Sequence, residues 1–169
     1  MFNVFKTQKK IINNTLNTNN TSDVICMVIA ESKSKLYLDK TLDKFIPRYE
    51  KLPSDYSSFD QQNITPFKDE SEMLNYCFQC KEIDQTFYWN QTLDNPNKIM
   101  VGAYLTNDNY LIISLTFKYS KELEKNYFTS LKKILNSEIG VISYNHLPEF
   151  KSGKDFIAKY KDCKYDFDK

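Results

Sequence analysis

The sequence predicts a single α+β domain with a mixed, mainly antiparallel sheet of four to five strands and helices packed mostly on one face. Three observations support this fold class. The 169 residues fit the usual size of one domain. Three apolar segments of strand-like pattern follow one another in the second half of the chain, separated by polar turn formers. Amphipathic segments of helical period flank these strands.

In the first half of the chain, the elements are less sharply marked. The polar segment 13–23 is predicted to be a loop, and Thr21 or Ser22 to cap a helix over residues 23–35. The β-branched residues of 23–35 leave a strand as the alternative.

A second helix is predicted over residues 38–52, with Pro47 ending or kinking it. Residues 53–68 contain two prolines and many turn formers, which predicts a long connection. A third helix is predicted over residues 69–83, because acidic residues open it and apolar residues then recur at helical spacing. The apolar stripe of the second helix consists of Leu38, Leu42, Phe45 and Ile46, and that of the third includes Met73, Leu74, Cys77 and Phe78.

The second half of the chain predicts an antiparallel meander. Strands are expected at residues 85–91, 98–106 and 110–117, joined by polar turns. The turn Asn107-Asp108-Asn109 consists of residues that tolerate left-handed backbone, which is typical of a three-residue hairpin loop.

A β-α-β unit is predicted over residues 110–144. Its helix, residues 121–135, has one apolar face, acidic residues in its first turn and lysines in its last turn, as the helix dipole prefers. A short strand at 139–144 follows, and a crossover connection of this kind makes its two strands parallel.

A last short helix is predicted to begin at Ser152. The domain is expected to span residues 1–169, with residues 1–20 and 164–169 frayed.

Composition favours a folded chain without a nucleic-acid partner. Hydrophobic residues make up 41% and aromatic residues 15% of the chain, which is more than disordered proteins contain. The 23 basic and 22 acidic residues nearly cancel, and Arg48 is the only arginine. Nucleic-acid-binding proteins usually carry a basic excess rich in arginine.

The sequence shows neither an export signal nor a membrane span. Residues 1–20 lack an apolar core of the length that secretory signals require. The longest apolar run, residues 24–30, is much shorter than the roughly 20 residues of a membrane helix. We therefore expect a cytoplasmic protein with no membrane partner, in which the four cysteines are reduced thiols.

The pair Cys77-Phe-Gln-Cys80 is the one motif with possible metal or redox chemistry. Zinc would need further ligands, and Cys26, Cys163 and His146 are each isolated in the sequence. Redox pairs normally open a helix, whereas this pair lies within a predicted helix. Buried core cysteines are the favoured interpretation, with zinc binding and redox chemistry as the alternatives, so no cofactor or metal is expected.

His146 is the single histidine and follows a predicted strand. A strand end suits a general base, and Cys163 or a serine is then a possible nucleophile. No nucleophile elbow accompanies it, so a surface or turn histidine is favoured. A small enzyme or ligand-binding domain that uses His146 and nearby acidic residues stays as the alternative function.

The acidic cluster of Asp69, Glu70 and Glu72 resembles the first turn of a helix. Tyr88 and Trp89 alternate on a predicted strand, so they point to opposite faces of the sheet. Core packing is the favoured interpretation of these aromatic residues, with a poorly covered aromatic residue as the alternative. Exposed aromatic residues near acidic groups are also typical of protein-binding surfaces. The candidate partner-binding residues are therefore Tyr88, Trp89, Asp108, His146, Asp69, Glu70 and Glu72.

Residues 89–150, from "WNQTLDNPNKIMVGAYLTNDNYLIISLTF" to "VISYNHLPEF", are the part of the chain that carries a family resemblance. In this segment the chain resembles bacterial immunity proteins, which protect against polymorphic toxins of type VI and contact-dependent secretion systems. The resemblance implies a non-catalytic protein that binds a cognate toxin stoichiometrically, either at the toxin's active site or across the approach of its substrate. It transfers no functional residue position by position.

Overall fold

A five-stranded antiparallel sheet organises the part of the chain that the computed structural model describes, residues 22–52, 57–60 and 63–167. Every ladder in this sheet is antiparallel, which confirms the predicted α+β class with a mainly antiparallel sheet. In spatial order, and numbered along the chain, the strands are β4 (Gln85–Asn90), β5 (Met100–Leu105), β6 (Leu111–Lys118), β1 (Asp23–Ile29) and β7 (Gly140–Tyr144).

A small separate hairpin lies within the predicted long connection of residues 53–68. Its strands are β2 (Ser57–Asp60) and β3 (Asn63–Pro66), which pair with each other. The segment is therefore not irregular throughout, as the prolines and turn formers had suggested.

Four helices complete the described part of the chain: α1 (Lys35–Phe45), α2 (Glu70–Gln79), α3 (Lys121–Leu135) and α4 (Gly153–Tyr160). Each begins after a short polar side chain that accepts a hydrogen bond from a backbone N–H of the first turn. These capping residues are Ser34, Asp69, Ser120 and Ser152. The caps at Ser120 and Ser152 place α3 and α4 where the sequence predicts them.

The prediction of a helix over residues 23–35 is wrong, and the alternative of a strand is correct for its first seven residues. Strand β1 pairs with β6 on one side and with β7 on the other. Its side chains are buried alternately in two cores, so an apolar residue is needed at nearly every position. The expected cap Thr21 lies outside the described residues. Ser22 precedes the strand, and its buried hydroxyl has no hydrogen-bond partner among the residues that the structure describes.

The helices lie mostly on one face of the sheet, as predicted. Buried residues of α1, α2 and α3 share one core with the strands, and we call this side the three-helix face. On the opposite side, the α4 face, Phe156 is buried against Met27 and Ile112 of the sheet. The α1 stripe of Leu38, Leu42, Phe45 and Ile46 is entirely buried.

Helix α1 begins three residues earlier than predicted and ends at Phe45, before Pro47. The residue before a proline disfavours helical backbone, and Ile46 is accordingly non-helical, with φ −140° and ψ 61°. The proline therefore ends this helix and does not kink it.

Strands β6 and β7 run in the same direction, because both pair antiparallel with β1. The predicted parallel orientation across α3 is therefore correct. The two strands do not pair with each other, however, since β1 lies between them. Strand β1, which comes from the early part of the chain, thus lies between the two strands of the unit formed by residues 110–144.

The segment after α4 packs against the fold. The Tyr165 ring contacts Phe128 of α3 at a centroid distance of 5.1 Å, and Phe167 packs on the same ring. The Tyr165 hydroxyl accepts a hydrogen bond of 2.7 Å from the Ile142 N–H of edge strand β7. Fraying, predicted for residues 164–169, therefore does not describe Tyr165 and Phe167.

The other predicted frayed segment, residues 1–20, lies outside the described residues, as do residues 168 and 169. No helix in the described ranges is both long and apolar enough to cross a membrane.

The Tyr165 hydrogen bond is testable with Tyr165→Phe, which keeps the ring contact with Phe128 and removes the acceptor for the Ile142 N–H. We expect a loss of about 0.5–1.5 kcal/mol in the free energy of unfolding. Amide exchange at Ile142 should accelerate, as followed by hydrogen-exchange NMR. Tyr119→Phe, at an exposed tyrosine, is the control and should change neither quantity. Unchanged exchange at Ile142 would show that the hydroxyl does not protect this edge.

Candidate functional site

Trp89 and Glu70 form a buried pair inside the core. Trp89 is 1% exposed, and its Nε1 donates to Glu70 Oε1 at 2.5 Å. The same oxygen accepts from the backbone N–H of Leu52 at 3.3 Å. The two candidates lie on the three-helix face, where α2 covers β4. The structure thus places both candidates in the core, where the Trp89 N–H donates to the Glu70 carboxylate, and not on the surface from which a partner would be contacted.

Asp69 and Glu72 remain on the surface, where they cap α2. Asp69 accepts a hydrogen bond of 2.9 Å from the Glu72 N–H, and Glu72 accepts one of 2.6 Å from the Lys68 N–H. This reciprocal arrangement resembles a capping box. The interpretation of these acidic residues as a helix first turn is therefore confirmed for both. Their carboxylates are exposed, so a partner can reach them. Any hydrogen bond to a partner would compete with those that cap α2.

Asp108 joins the hairpin tip to α4. Its two carboxylate oxygens accept hydrogen bonds of 2.9 Å from the backbone N–H groups of Gly153 and Lys154. The Thr106 hydroxyl donates a third bond of 2.6 Å. Burial by itself would raise the pKa of Asp108, but the hydrogen bonds from Thr106 and α4 outweigh it and lower this pKa. Asp108 is thus occupied in holding α4 on the sheet.

Tyr88 is the candidate that the structure leaves both exposed and rigidly held. It lies on the α4 face with 44% of its surface exposed. Its hydroxyl is 3.0 Å from that of Tyr104, within hydrogen-bonding distance, and the two rings meet edge to face at 5.9 Å. Tyr104 in turn contacts Phe150 edge to face at 5.6 Å. We call these three residues, Tyr88, Tyr104 and Phe150, the aromatic surface.

Gly102 makes room for the aromatic surface. It pairs with Tyr88 across the β4–β5 ladder and with Ser114 across the β5–β6 ladder. A Cβ atom at Gly102 would lie 2.4 Å from the Ser114 Oγ and 3.0 Å from the Tyr88 ring. The absence of a side chain therefore lets the Tyr88 ring approach the backbone at Gly102, where the Tyr104 hydroxyl and ring contact it.

His146 lies on the loop that connects β7 to α4 and ends near Phe150. It is exposed, and no hydrogen bond or ion pair joins it to any other residue in the described ranges. The next residue, Leu147, is 48% exposed. Within the described ranges, His146 therefore has neither a nucleophile nor an orienting carboxylate bonded to it, and its neighbour in the chain is an exposed leucine.

Cys77 and Cys80 lie near each other at the end of α2, and of the two only Cys77 is buried. Cys77 is buried in α2, and burial raises its pKa to about 11, which disfavours the thiolate needed for redox or metal chemistry. Cys80 is the residue that ends α2, and its carbonyl accepts a hydrogen bond from Lys33. Within the described residues, no three histidine, cysteine, aspartate or glutamate side chains come together as a metal ion would require.

The seven candidate residues therefore separate by role. Trp89 and Glu70 are internal, whereas Asp69, Glu72 and Asp108 cap helices. Tyr88 and His146 remain as exposed residues with no capping duty. Comparison with protein-family models, with curated proteins and with solved structures finds no match for this chain. The functional argument therefore depends on the geometry of the aromatic surface and its surroundings.

Sequence reasoning missed Tyr104, Phe150 and Leu147. The signal for Tyr104 was present, because residues 88 and 104 occupy the same face of adjacent strands once the β4–β5 hairpin is accepted. No local pattern marks Phe150 or Leu147, since they lie on an irregular loop whose path across the sheet is a property of the tertiary fold.

The buried pair is testable with Trp89→Phe, which removes the donor and leaves the Glu70 carboxylate without its closest partner. We expect a loss of about 1–3 kcal/mol in the free energy of unfolding, measured by urea denaturation. Glu70→Leu and the double variant complete the thermodynamic cycle, and the double variant should cost less than the sum of the single variants. Additivity within about 0.5 kcal/mol would refute the coupling.

The role of Asp108 is testable with Asp108→Ala, for which we expect a loss of about 1–3 kcal/mol at neutral pH. Because the pKa of Asp108 is lowered in the folded protein, its contribution is complete above the unfolded pKa of about 3.9 and is lost as pH falls through the folded value. The difference between the parent protein and the variant should therefore shrink below about pH 4.

Asn107→Ala, at the exposed neighbouring position of the tip, is the control and should cost less than about 0.5 kcal/mol. An equal loss in both variants would mean that the tip, and not the carboxylate, stabilises α4.

Proposed function

We propose that this protein is a cytoplasmic, non-catalytic immunity protein that binds a cognate bacterial toxin through the aromatic surface. Tyr88 makes the central contact, and His146 and Leu147 lie on the loop that flanks it. The observation that carries the proposal is that Tyr88 is exposed although its ring and hydroxyl are already fixed by Tyr104.

A fixed exposed tyrosine suits tight protein recognition for an energetic reason. Binding usually costs about 0.5–1.5 kcal/mol for each flexible side chain that becomes ordered. The ring of Tyr88 is held before the partner arrives, so this cost is largely avoided. Tyrosine is also enriched among the residues that dominate interface energies, since it combines a large apolar ring with a polar group.

The surroundings of Tyr88 have the composition of an interface. The ladder registers place Asn90, Met100 and Thr116 on the same face of neighbouring strands. Met100 and Thr116 are partly exposed and Asn90 is exposed, so a flexible apolar residue and two uncharged polar residues continue this face of the sheet beyond the tyrosine. Interface centres are similarly depleted of charge and enriched in aromatic residues and methionine.

A second exposed tyrosine provides a matched comparison. Tyr76 is 40% exposed on α2, on the three-helix side of the sheet, close to the capping residues Asp69 and Glu72. Its ring contacts Phe67 at 5.4 Å. A toxin that approached the acidic end of α2 would contact Tyr76, whereas a toxin that bound the aromatic surface would contact Tyr88.

The test is co-expression with the product of the gene next to the protein's own in the native genome, the expected toxin, combined with calorimetric measurement of binding. Tyr88→Ala should weaken binding by at least about 2 kcal/mol, or roughly 30-fold, and abolish protection at low expression. Tyr76→Ala should leave both unchanged. Thermal unfolding of each variant establishes that it is folded.

Loss of binding in Tyr76→Ala but not in Tyr88→Ala would move the interface to α2. Failure of the parent protein to bind or to protect against that toxin would contradict the immunity function itself.

A further inference from the structure

A groove of about 800 Å³ lies between the carboxyl-terminal half of α3 and the segment that follows α4. It is on the side of α3, whereas the aromatic surface is on the α4 face of the sheet. Its volume falls in the range of about 300–1,000 Å³ that is usual for binding sites. Lysines and aromatic residues make up much of its lining.

Positive charge is concentrated in this groove. Four lysines and one glutamate line it, which leaves a net charge of +3, although the whole chain carries only +1. Lys132 is paired with Glu138 at 3.1 Å. Within the described residues, no carboxylate forms an ion pair with Lys133, Lys161 or Lys164. Three exposed ammonium groups therefore border one concave surface without acidic partners there.

Helix dipoles account for the positions of three of the four lysines but not for that of Lys164. Lysines at a carboxyl-terminal helix end complement the dipole, and Lys132, Lys133 and Lys161 are placed in this way on α3 and α4. Lys164 lies beyond both helices. The dipoles also give no reason for the lysines of two separate helix ends to converge on a single groove.

The floor of the groove is formed by the half-buried rings of Tyr165 and Phe167, which pack on Phe128, a residue that is only 2% exposed. Phe128, Tyr165 and Phe167 contact one another at centroid distances between 5.1 and 6.3 Å, with Tyr165 and Phe167 stacked at 6.1 Å. The Lys132 ammonium lies 5.1 Å from the centre of the Phe128 ring. An apolar floor with a cationic rim is complementary to a ligand that carries both an apolar side chain and several carboxylates.

We propose that this groove binds an acidic peptide segment of a protein partner, with an aromatic side chain of the peptide on the floor and its carboxylates on Lys133, Lys161 and Lys164. Charge complementarity selects an anionic occupant. A protein segment fits better than nucleic acid, because the rim contains no arginine and the chain as a whole has almost no net charge.

This site is separate from toxin neutralisation through Tyr88, since it lies on a different side of the sheet and uses no residue of the aromatic surface. Its test does not need the toxin. Fluorescence anisotropy would measure binding of a labelled hexapeptide of four glutamates and two central phenylalanines to the full chain. We expect saturable binding that weakens as salt rises from about 50 to 300 mM.

The variant Lys133→Glu with Lys164→Glu should weaken peptide binding at least about tenfold. Both side chains are exposed, so the fold should be kept, as circular dichroism would show. Lys40→Glu with Lys81→Glu makes the same change in net charge at exposed positions outside the groove. This control variant should bind the peptide within about twofold of the parent protein.

Two further probes define the ligand class. Replacing the phenylalanines of the peptide by alanine, or its glutamates by glutamine, should weaken binding if both floor and rim are used. Equal loss of binding in the two lysine variants would overturn the proposal, and so would no binding of the peptide. Tighter binding of a single-stranded oligonucleotide of equal charge, lost in Lys133→Glu with Lys164→Glu, would assign the groove to nucleic acid and overturn it as well.

Discussion

The two-sided pairing of β1 is the constraint on which the other elements depend. Its backbone is bonded to β6 along one edge and to β7 along the other. Its side chains divide between the core under α1, α2 and α3 and the core under α4. Without this strand β7 would have no neighbour, and α4 would lose Met27 and Ile29 from the surface it covers. The sheet therefore has one strand that belongs to both halves of the structure.

An element could be predicted well where its own residues determine it, and poorly where residues far along the chain determine it. Helix α3 has its cap, its apolar face and its terminal charges within its own sequence, and its bounds are predicted exactly. Strand β1 has no such local signature. Because both of its faces are buried, its sequence is uniformly apolar, and such a run fits a buried helix as well as a strand. Pairing with β6 and β7, which lie far along the chain, makes this segment a strand and not a helix.

The same reasoning applies to the candidate site. Alternation along β4 places Tyr88 and Trp89 on opposite faces, but it does not tell which face α2 covers. The capping roles of Asp69 and Glu72 are local, so a helix first turn could be inferred from sequence. The role of Asp108 depends on its hydrogen bonds to α4, which lies more than forty residues later in the chain. No pattern in the sequence around Asp108 predicts this role. A polar residue whose hydrogen bonds reach a distant element therefore cannot be told from a binding residue by sequence alone.

The position of β1 also bears on how the chain reaches this structure during synthesis. Asp23 pairs with Lys118 and Val24 pairs with Tyr144, so the first described strand leaves the ribosome long before either neighbour exists. Sequence-distant contacts of this kind slow folding, since a long loop must close before any pairing is gained. Until then the segment from Val24 to Ile29, which carries no charge, presents two open edges to other chains. We expect the nascent protein to be most prone to aggregation in the interval between the emergence of β1 and that of β7.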